Sequence, residues 1–169
     1  MKKTISIIIS IAMCAMLASC GGVKNEVSDT EQPTLIDTMS LEEKVGQILF
    51  VRCVEDEQTD DLMSIKPGGI LMFGRDFEGL TKDEVKEKIQ SYQDKSDIPL
   101  IIGADEEGGT VVRVSSNPNL APEKFKSPQE IYNEGGMDAV VENATEKSEL
   151  LLNLGVNMNL APVADVSTN

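Results

Sequence analysis

PLIIGADEEGGTVVR, residues 99–113, runs from an apolar segment into three successive acids, then two glycines, two valines and an arginine. A continuous apolar run bounded by proline on one side and charge on the other suits a strand buried on both faces, as in a parallel sheet. Two other segments read the same way: GILMF at residues 69–73 and VNMNLAPV at residues 156–163. The strand of the opening stretch is LIIGA, residues 100–104.

Helices separate these segments, and their starts are legible. SLEE (residues 40–43), TKDE (81–84) and SPQE (127–130) each have the capping-box pattern, the last with proline at the first helical position. Leu41, Val45, Ile48 and Leu49 fall on one face of the first helix; Val85, Ile89 and Tyr92 do so on the second. Gly135-Gly136 interrupts the third, and a helical run from Met137 carries Val140, Ala144, Leu151 and Leu154 and ends at Gly155. The first two strands start about 30 residues apart, the size of a βαβ unit. The order helix, β, α, β, α, β assigns the chain to the α/β class.

In such a sheet, chemistry sits beyond the carboxyl ends of the strands. Those ends carry Gly74-Arg75-Asp76, then Asp105-Glu106-Glu107-Gly108-Gly109, then Asp165. Asp76 reads first as a turn cap, Arg75 equally as an ion-pair partner or a site residue, and Asp165 equally as a backbone acceptor. Neighbouring side chains on an extended segment point oppositely, so the three acids at 105–107 cannot all turn inward. They also lack the alternate ligand spacing of a calcium loop. No G-x-x-x-x-G-K-[ST] stretch accompanies the strand, which removes a P-loop nucleotide site. What remains is a polyol: Asp105 can accept hydroxyl hydrogen bonds strengthened by its charge, with Glu106 and Glu107 tying down the loop or meeting solvent. Gly108-Gly109 allows a tight turn and close backbone approach to a ligand, and Arg113 can brace an acid or reach a substrate oxygen.

The amino terminus has a different character. MKKTISIIISIAMCAMLASC has two lysines, an apolar run too short for a membrane span, and small residues ending at Cys20. Leu17-Ala18-Ser19-Cys20 resembles the bacterial lipobox, which predicts a signal peptide at residues 1–19, a lipid on Cys20, and a polar tether over residues 20–38. Export would place the folded region, residues 39–169, outside the cytoplasm on a membrane anchor. Without residues 1–19 the chain keeps 13 basic and 29 acidic residues, a net charge of −16. Such a surface repels nucleic acid and anionic lipid. Histidine is absent, and with it the commonest general base and zinc ligand. Cys53 would be the one cysteine left without lipid, so disulfides are not expected to hold the fold.

Four blocks, in order, resemble glycoside hydrolase family 3, most closely its bacterial β-N-acetylhexosaminidase branch. SLEEKVGQILF resembles the family's opening helix. PGGILMFGRD resembles G-G-[IV]-x-L-F-x-R-N, with Asp76 in place of asparagine. PLIIGADEEGGTVVR resembles P-L-[IVL]-x-x-D-Q-E-G-G-R-V-x-R, with Glu106 for glutamine and Thr110 for the first arginine. LGVNMNLAPVADV resembles G-[IV]-N-x-N-x-A-P-V-x-D-V. The resemblance implies about three βα units from the N-terminal part of a (β/α)8 TIM-type barrel, and no metal or cofactor. It gives Asp105 and Arg113 a substrate-binding role, with Arg75, Glu107 and Asp165 supporting. It implies retaining hydrolysis that removes β-linked N-acetylhexosamine from a GlcNAc-containing saccharide. The nucleophilic aspartate and the histidine–aspartate acid/base of that branch fall after the last block, so the chain is expected to be an inactive N-terminal portion. A sugar-binding surface lipoprotein and a β-glucosidase or β-xylosidase are the competing expectations.

Overall fold

The computed structural model describes residues 34–164. Helices α1 (Leu35–Thr38) and α2 (Leu41–Gln47) lead into strand β1 (Phe50–Arg52). A 3-10 turn and α3 (Thr59–Ser64) connect to β2 (Gly69–Met72), then α4 (Gly74–Phe77) and α5 (Lys82–Gln93) to β3 (Ile101–Ala104). The long α6 (Pro128–Leu154) returns the chain to β4 (Met158–Asn159). The four strands are parallel, in the order β1-β2-β3-β4. Phe50 pairs with Gly69, Gly69 with Ile101, and Gly103 with Met158.

Three expectations need correction. β1 lies where the opening helix was expected to continue: α2 ends at Gln47, and the β-favouring Phe50-Val51 pair enters the sheet instead. The last strand is two residues long rather than spanning 156–163. Within the expected tether, residues 35–38 form a helical turn; residues 20–33, Cys20 and the signal segment lie outside the described residues.

All three capping boxes form. Ser40, Thr81 and Ser127 each accept the backbone N–H of the residue three positions on, and that residue's glutamate accepts the cap's own N–H at 2.7–2.9 Å. The Thr81 backbone N–H, and then its hydroxyl, hold the Glu84 carboxyl below its usual 4.5. The Ser127 hydroxyl and N–H do the same for Glu130. A lowered folded-state value means that this stabilisation is complete above pH 4.5 and fades as pH falls through the folded value. Glu84→Gln keeps an acceptor but cannot titrate. Its urea midpoint is therefore expected to fall less than the wild type's between about pH 5 and about pH 3. Equal slopes would remove the capping carboxylate from acid unfolding.

Strand alternation splits the sheet into two faces. Ile70, Met72, Ile102 and Ala104 are fully buried against Phe77, Val85, Ile89, Tyr92, Leu151 and Leu154 from the helices. Each such aliphatic or aromatic side chain contributes about 1.5–3 kcal/mol of burial. Cys53 and Tyr92 are enclosed in the same core, and Sγ and Oη satisfy each other at 3.2 Å. Burial pushes the Cys53 thiol up, so it is an inert core group rather than a thiolate.

The opposite face carries Phe50, Arg52, Leu71, Phe73, Ile101 and Asp105 by the same period of two. There the Phe50 ring lies across its neighbours: a Cβ on Gly69 or Gly103 would come within 2.6 or 2.5 Å of it. Phe50 and Ile101 remain exposed on this face. Leu41, Val45 and Ile48 of the opening segment are exposed as well, so the apolar face read for α2 is not covered by the described residues.

Gly135 and Gly136 leave helical backbone geometry and kink α6 where expected. Gly155 caps it in the left-handed region with φ 93°.

Candidate functional site

Because the strands are parallel, their carboxyl ends share one edge. On the open face of that edge stand Arg52 at the end of β1, Phe73 after β2 and Asp105 after β3. Arg113 returns from the following loop and places Nη2 3.3 Å from Asp105 Oδ2. Both side chains are about a quarter exposed, at 28% and 22%. Asp105 thus keeps carboxylate surface for a ligand while its position is fixed by a cation.

The neighbouring acid points the other way and is completely buried. Glu106 Oε2 accepts the backbone N–H of Arg113 at 2.7 Å and of Val114 at 2.6 Å; Oε1 accepts the Ser115 N–H at 3.3 Å and its hydroxyl. Ser115 Oγ in turn accepts the N–H of Phe125. The main chain of Glu106 is clamped from β4, where Asn159 accepts its N–H and donates to its carbonyl. Glu106 therefore folds the loop that delivers Arg113 to Asp105, as the alternation argument expected.

Glu107 takes part chiefly through its backbone. Its N–H reaches the Val111 carbonyl, and its own carbonyl accepts Lys147 Nζ at 2.8 Å. Lys147 is buried in the C-terminal half of α6, with Nζ 5.3 Å from the Phe125 ring centre. Burial pushes its pKa below the ordinary lysine value, against the opposing charges of Glu106 and Glu107.

The double glycine turns tightly, with φ 103° at Gly108 and 67° at Gly109. The close approach it permits is internal, which corrects the expectation of a ligand there. A Cβ at Gly108 would lie 2.1 Å from the Lys126 carbonyl oxygen, and one at Gly109 3.0 Å from Ser127 Cβ. Gly109 N–H also donates to the Phe125 carbonyl.

Arg75 joins strand ends. Its Nη2 donates to the Cys53 carbonyl at 3.3 Å, and its Nε lies 3.6 Å from Asp76 Oδ1. Asp76 is buried and accepts the Phe73 N–H at 2.7 Å, the capping role read for it. Asp165 lies outside the described residues.

Sequence reasoning missed Arg52, Phe73 and Lys147. Arg52 lay just past the segment read as the opening helix, in a stretch given no element, and Phe73 was counted only as strand. Lys147 did carry a signal: with Val140, Ala144, Leu151 and Leu154 it completes the 140-144-147-151-154 stripe that marks the covered face of a helix.

A rigid acceptor beside arginine donors, on an open strand edge, suits a hydroxyl-rich ligand. The sequence profile of the glycosyl hydrolase family 3 N-terminal domain matches residues 40–169. The chain belongs to glycosyl hydrolase family 3. Its parallel sheet with helical crossovers is the N-terminal part of a TIM-type barrel. A β-hexosaminidase A from Pseudoalteromonas piscicida is 30% identical over 105 residues, covering 60% of this chain and 18% of that protein. A β-hexosaminidase from Haemophilus influenzae is 24% identical over 113 residues, covering 67% of this chain and 32% of that one. Among solved structures, a family 3 β-N-acetylglucosaminidase from Paenibacillus matches with a TM-score of 0.64 and 26% identity, over 73% of this chain and 24% of that chain. The family 3 chain thus spans 18% to 32% of the length of the curated relatives it matches.

Proposed function

We propose that the full-length protein is a retaining glycoside hydrolase that removes terminal β-linked N-acetylhexosamine from GlcNAc-containing saccharides. It acts outside the cytoplasm on a lipid anchor at Cys20. The observation that carries this reading is the Asp105 carboxylate, held by Arg113 on the open face of the β3 edge, in a chain of this family. Asp105 accepts hydroxyl hydrogen bonds from the sugar, and Arg113 keeps the carboxylate oriented. Arg75 braces the ends of β1 and β2, and the Glu107 backbone braces the loop between Asp105 and Arg113. The retaining scheme needs a carboxylate that attacks the anomeric carbon and a second group that protonates the leaving oxygen. Residues 105–113 have the task of holding the sugar.

The test is release of nitrophenol by the full-length protein from the aryl N-acetyl-β-glucosaminide, β-glucoside and β-xyloside, with the product anomer followed by NMR. Turnover of the first substrate with retained β configuration is expected. Preference for the glucoside or xyloside would reassign the sugar. Binding of GlcNAc oligosaccharides without turnover of any substrate would make the protein a sugar-capturing lipoprotein.

A further inference from the structure

The loop that carries Asp105 and Arg113 is fastened from two sides. On the inside, the Glu106 carboxylate holds the returning limb through the N–H groups of Arg113, Val114 and Ser115. On the outside, a side chain of α6 reaches the turn itself. Lys147 Nζ donates to the Glu107 carbonyl at 2.8 Å, from a position 40 residues along the chain. That carbonyl belongs to the peptide entering the left-handed pair Gly108-Gly109, where the chain reverses toward Arg113. The same ammonium faces the Phe125 ring. Phe125 is in turn tied to the loop: its carbonyl accepts the Gly109 N–H, and its N–H goes to Ser115 Oγ. A lysine is a costly choice for this place. It is 7% exposed and forms no ion pair among the described residues, so its charge is desolvated with no carboxylate in contact. An apolar side chain would suit the covered stripe of α6 better. What an apolar chain cannot do is donate to a main-chain carbonyl.

We propose that Lys147 is a positioning residue of the sugar site: it sets the Glu107–Gly108 peptide, and with it the turn that brings Arg113 back to Asp105. It touches no substrate and acts through the Asp105 carboxylate. Glu107 is half-buried, so without the ammonium water can reach its carbonyl and the peptide is free to rotate, whereas the lysine holds one orientation. Glu106 still holds residues 113–115 in that case, so the fold persists. What is lost is the registry between the Asp105 carboxylate and the Arg113 guanidinium, 3.3 Å apart. A misplacement of about 1 Å at a positioned group can cost up to about 10²-fold in rate. This role rests on the sugar-binding function proposed above for Asp105.

The experiment is a double-mutant cycle in the full-length protein, with Lys147→Met crossed against Asp105→Ala and kcat/KM read on an aryl N-acetyl-β-glucosaminide. Methionine keeps an unbranched apolar chain and removes the donor. Lys147→Met alone is expected to lower kcat/KM about tenfold, but less than about twofold once Asp105→Ala is present. Lys147→Arg keeps the charge and the donors and should recover part of the loss. The melting temperature of Lys147→Met is expected to hold, because an apolar chain replaces a desolvated ammonium. Equal losses in both backgrounds would overturn the proposal, by making Lys147 a support of the fold at large. So would a Lys147→Met variant within about twofold of wild type, or failure of both lysine variants to fold. Undiminished activity of Asp105→Ala would sink the sugar-binding reading and this role with it. A damaged Asp105→Ala beside an undamaged Lys147→Met would sink only the role. If the wild type binds GlcNAc without turnover, the same cycle is read in its calorimetric Kd, and silence in both assays would sink both readings.

Discussion

Asp105→Ala in the full-length protein is expected to lower kcat/KM on an aryl N-acetyl-β-glucosaminide by about 10²–10⁴-fold. A hydrogen bond to a charged group is worth about 1.5–3 kcal/mol, and a carboxylate can hold two sugar hydroxyls. The fold should survive, because the Asp105–Arg113 pair is partly open to solvent and such pairs add no more than about 1 kcal/mol. Asp105→Asn should fall between, since the amide keeps one acceptor and loses the charge that strengthens both bonds. Activity of the alanine variant within about threefold of wild type would take Asp105 out of the sugar site.

Glu106→Ala should act on stability first. The fully enclosed carboxylate accepts three backbone N–H groups and one hydroxyl. Truncation strands buried donors, each costing about 1–3 kcal/mol, so a loss of about 3–5 kcal/mol is expected after the loop relaxes. That is a large share of the stability of an ordinary domain. Glu106→Gln keeps one oxygen for two of the donors but turns an amide N–H₂ toward the others, so it should lose roughly half as much. Urea unfolding of the variants reports both values directly. A Glu106→Ala midpoint matching wild type would show that the loop holds its shape without the carboxylate. The two substitutions are diagnostic as a pair, because adjacent acids give opposite readouts: one in kinetics, the other in unfolding.

Much of this was legible in the sequence because it depends on local spacing. Each capping box needs residues three apart, the kink needs Gly135-Gly136, and the separation of Asp105 from Glu106 needs only the alternation of a strand. Contacts between distant segments left weaker traces. Phe50-Val51-Arg52 is too short to show a period, so β1 went unread and Arg52 with it. The expectation of ligand access at Gly108 failed for a related reason. The glycine pattern shows that something comes close, and only the fold reveals that it is the chain's own backbone at Lys126. Lys147 shows a third limit: a lysine on an apolar stripe looks like an error until the Glu107 carbonyl and the Phe125 ring are found around it.

The ring of Phe50 laid over β2 and β3 makes three positions share one volume. They do not share it on equal terms. The nearest atoms to a Cβ at Gly103 all belong to that ring, whereas one at Gly69 would also strike the Ile101 carbonyl oxygen at 2.6 Å. Residue 103 can therefore grow if residue 50 shrinks, while residue 69 is pinned by main chain whatever happens to the phenylalanine. Exchange of bulk between β1 and β3 is thus open to drift or redesign as a coupled pair of changes, with the strand between them serving as a fixed spacer.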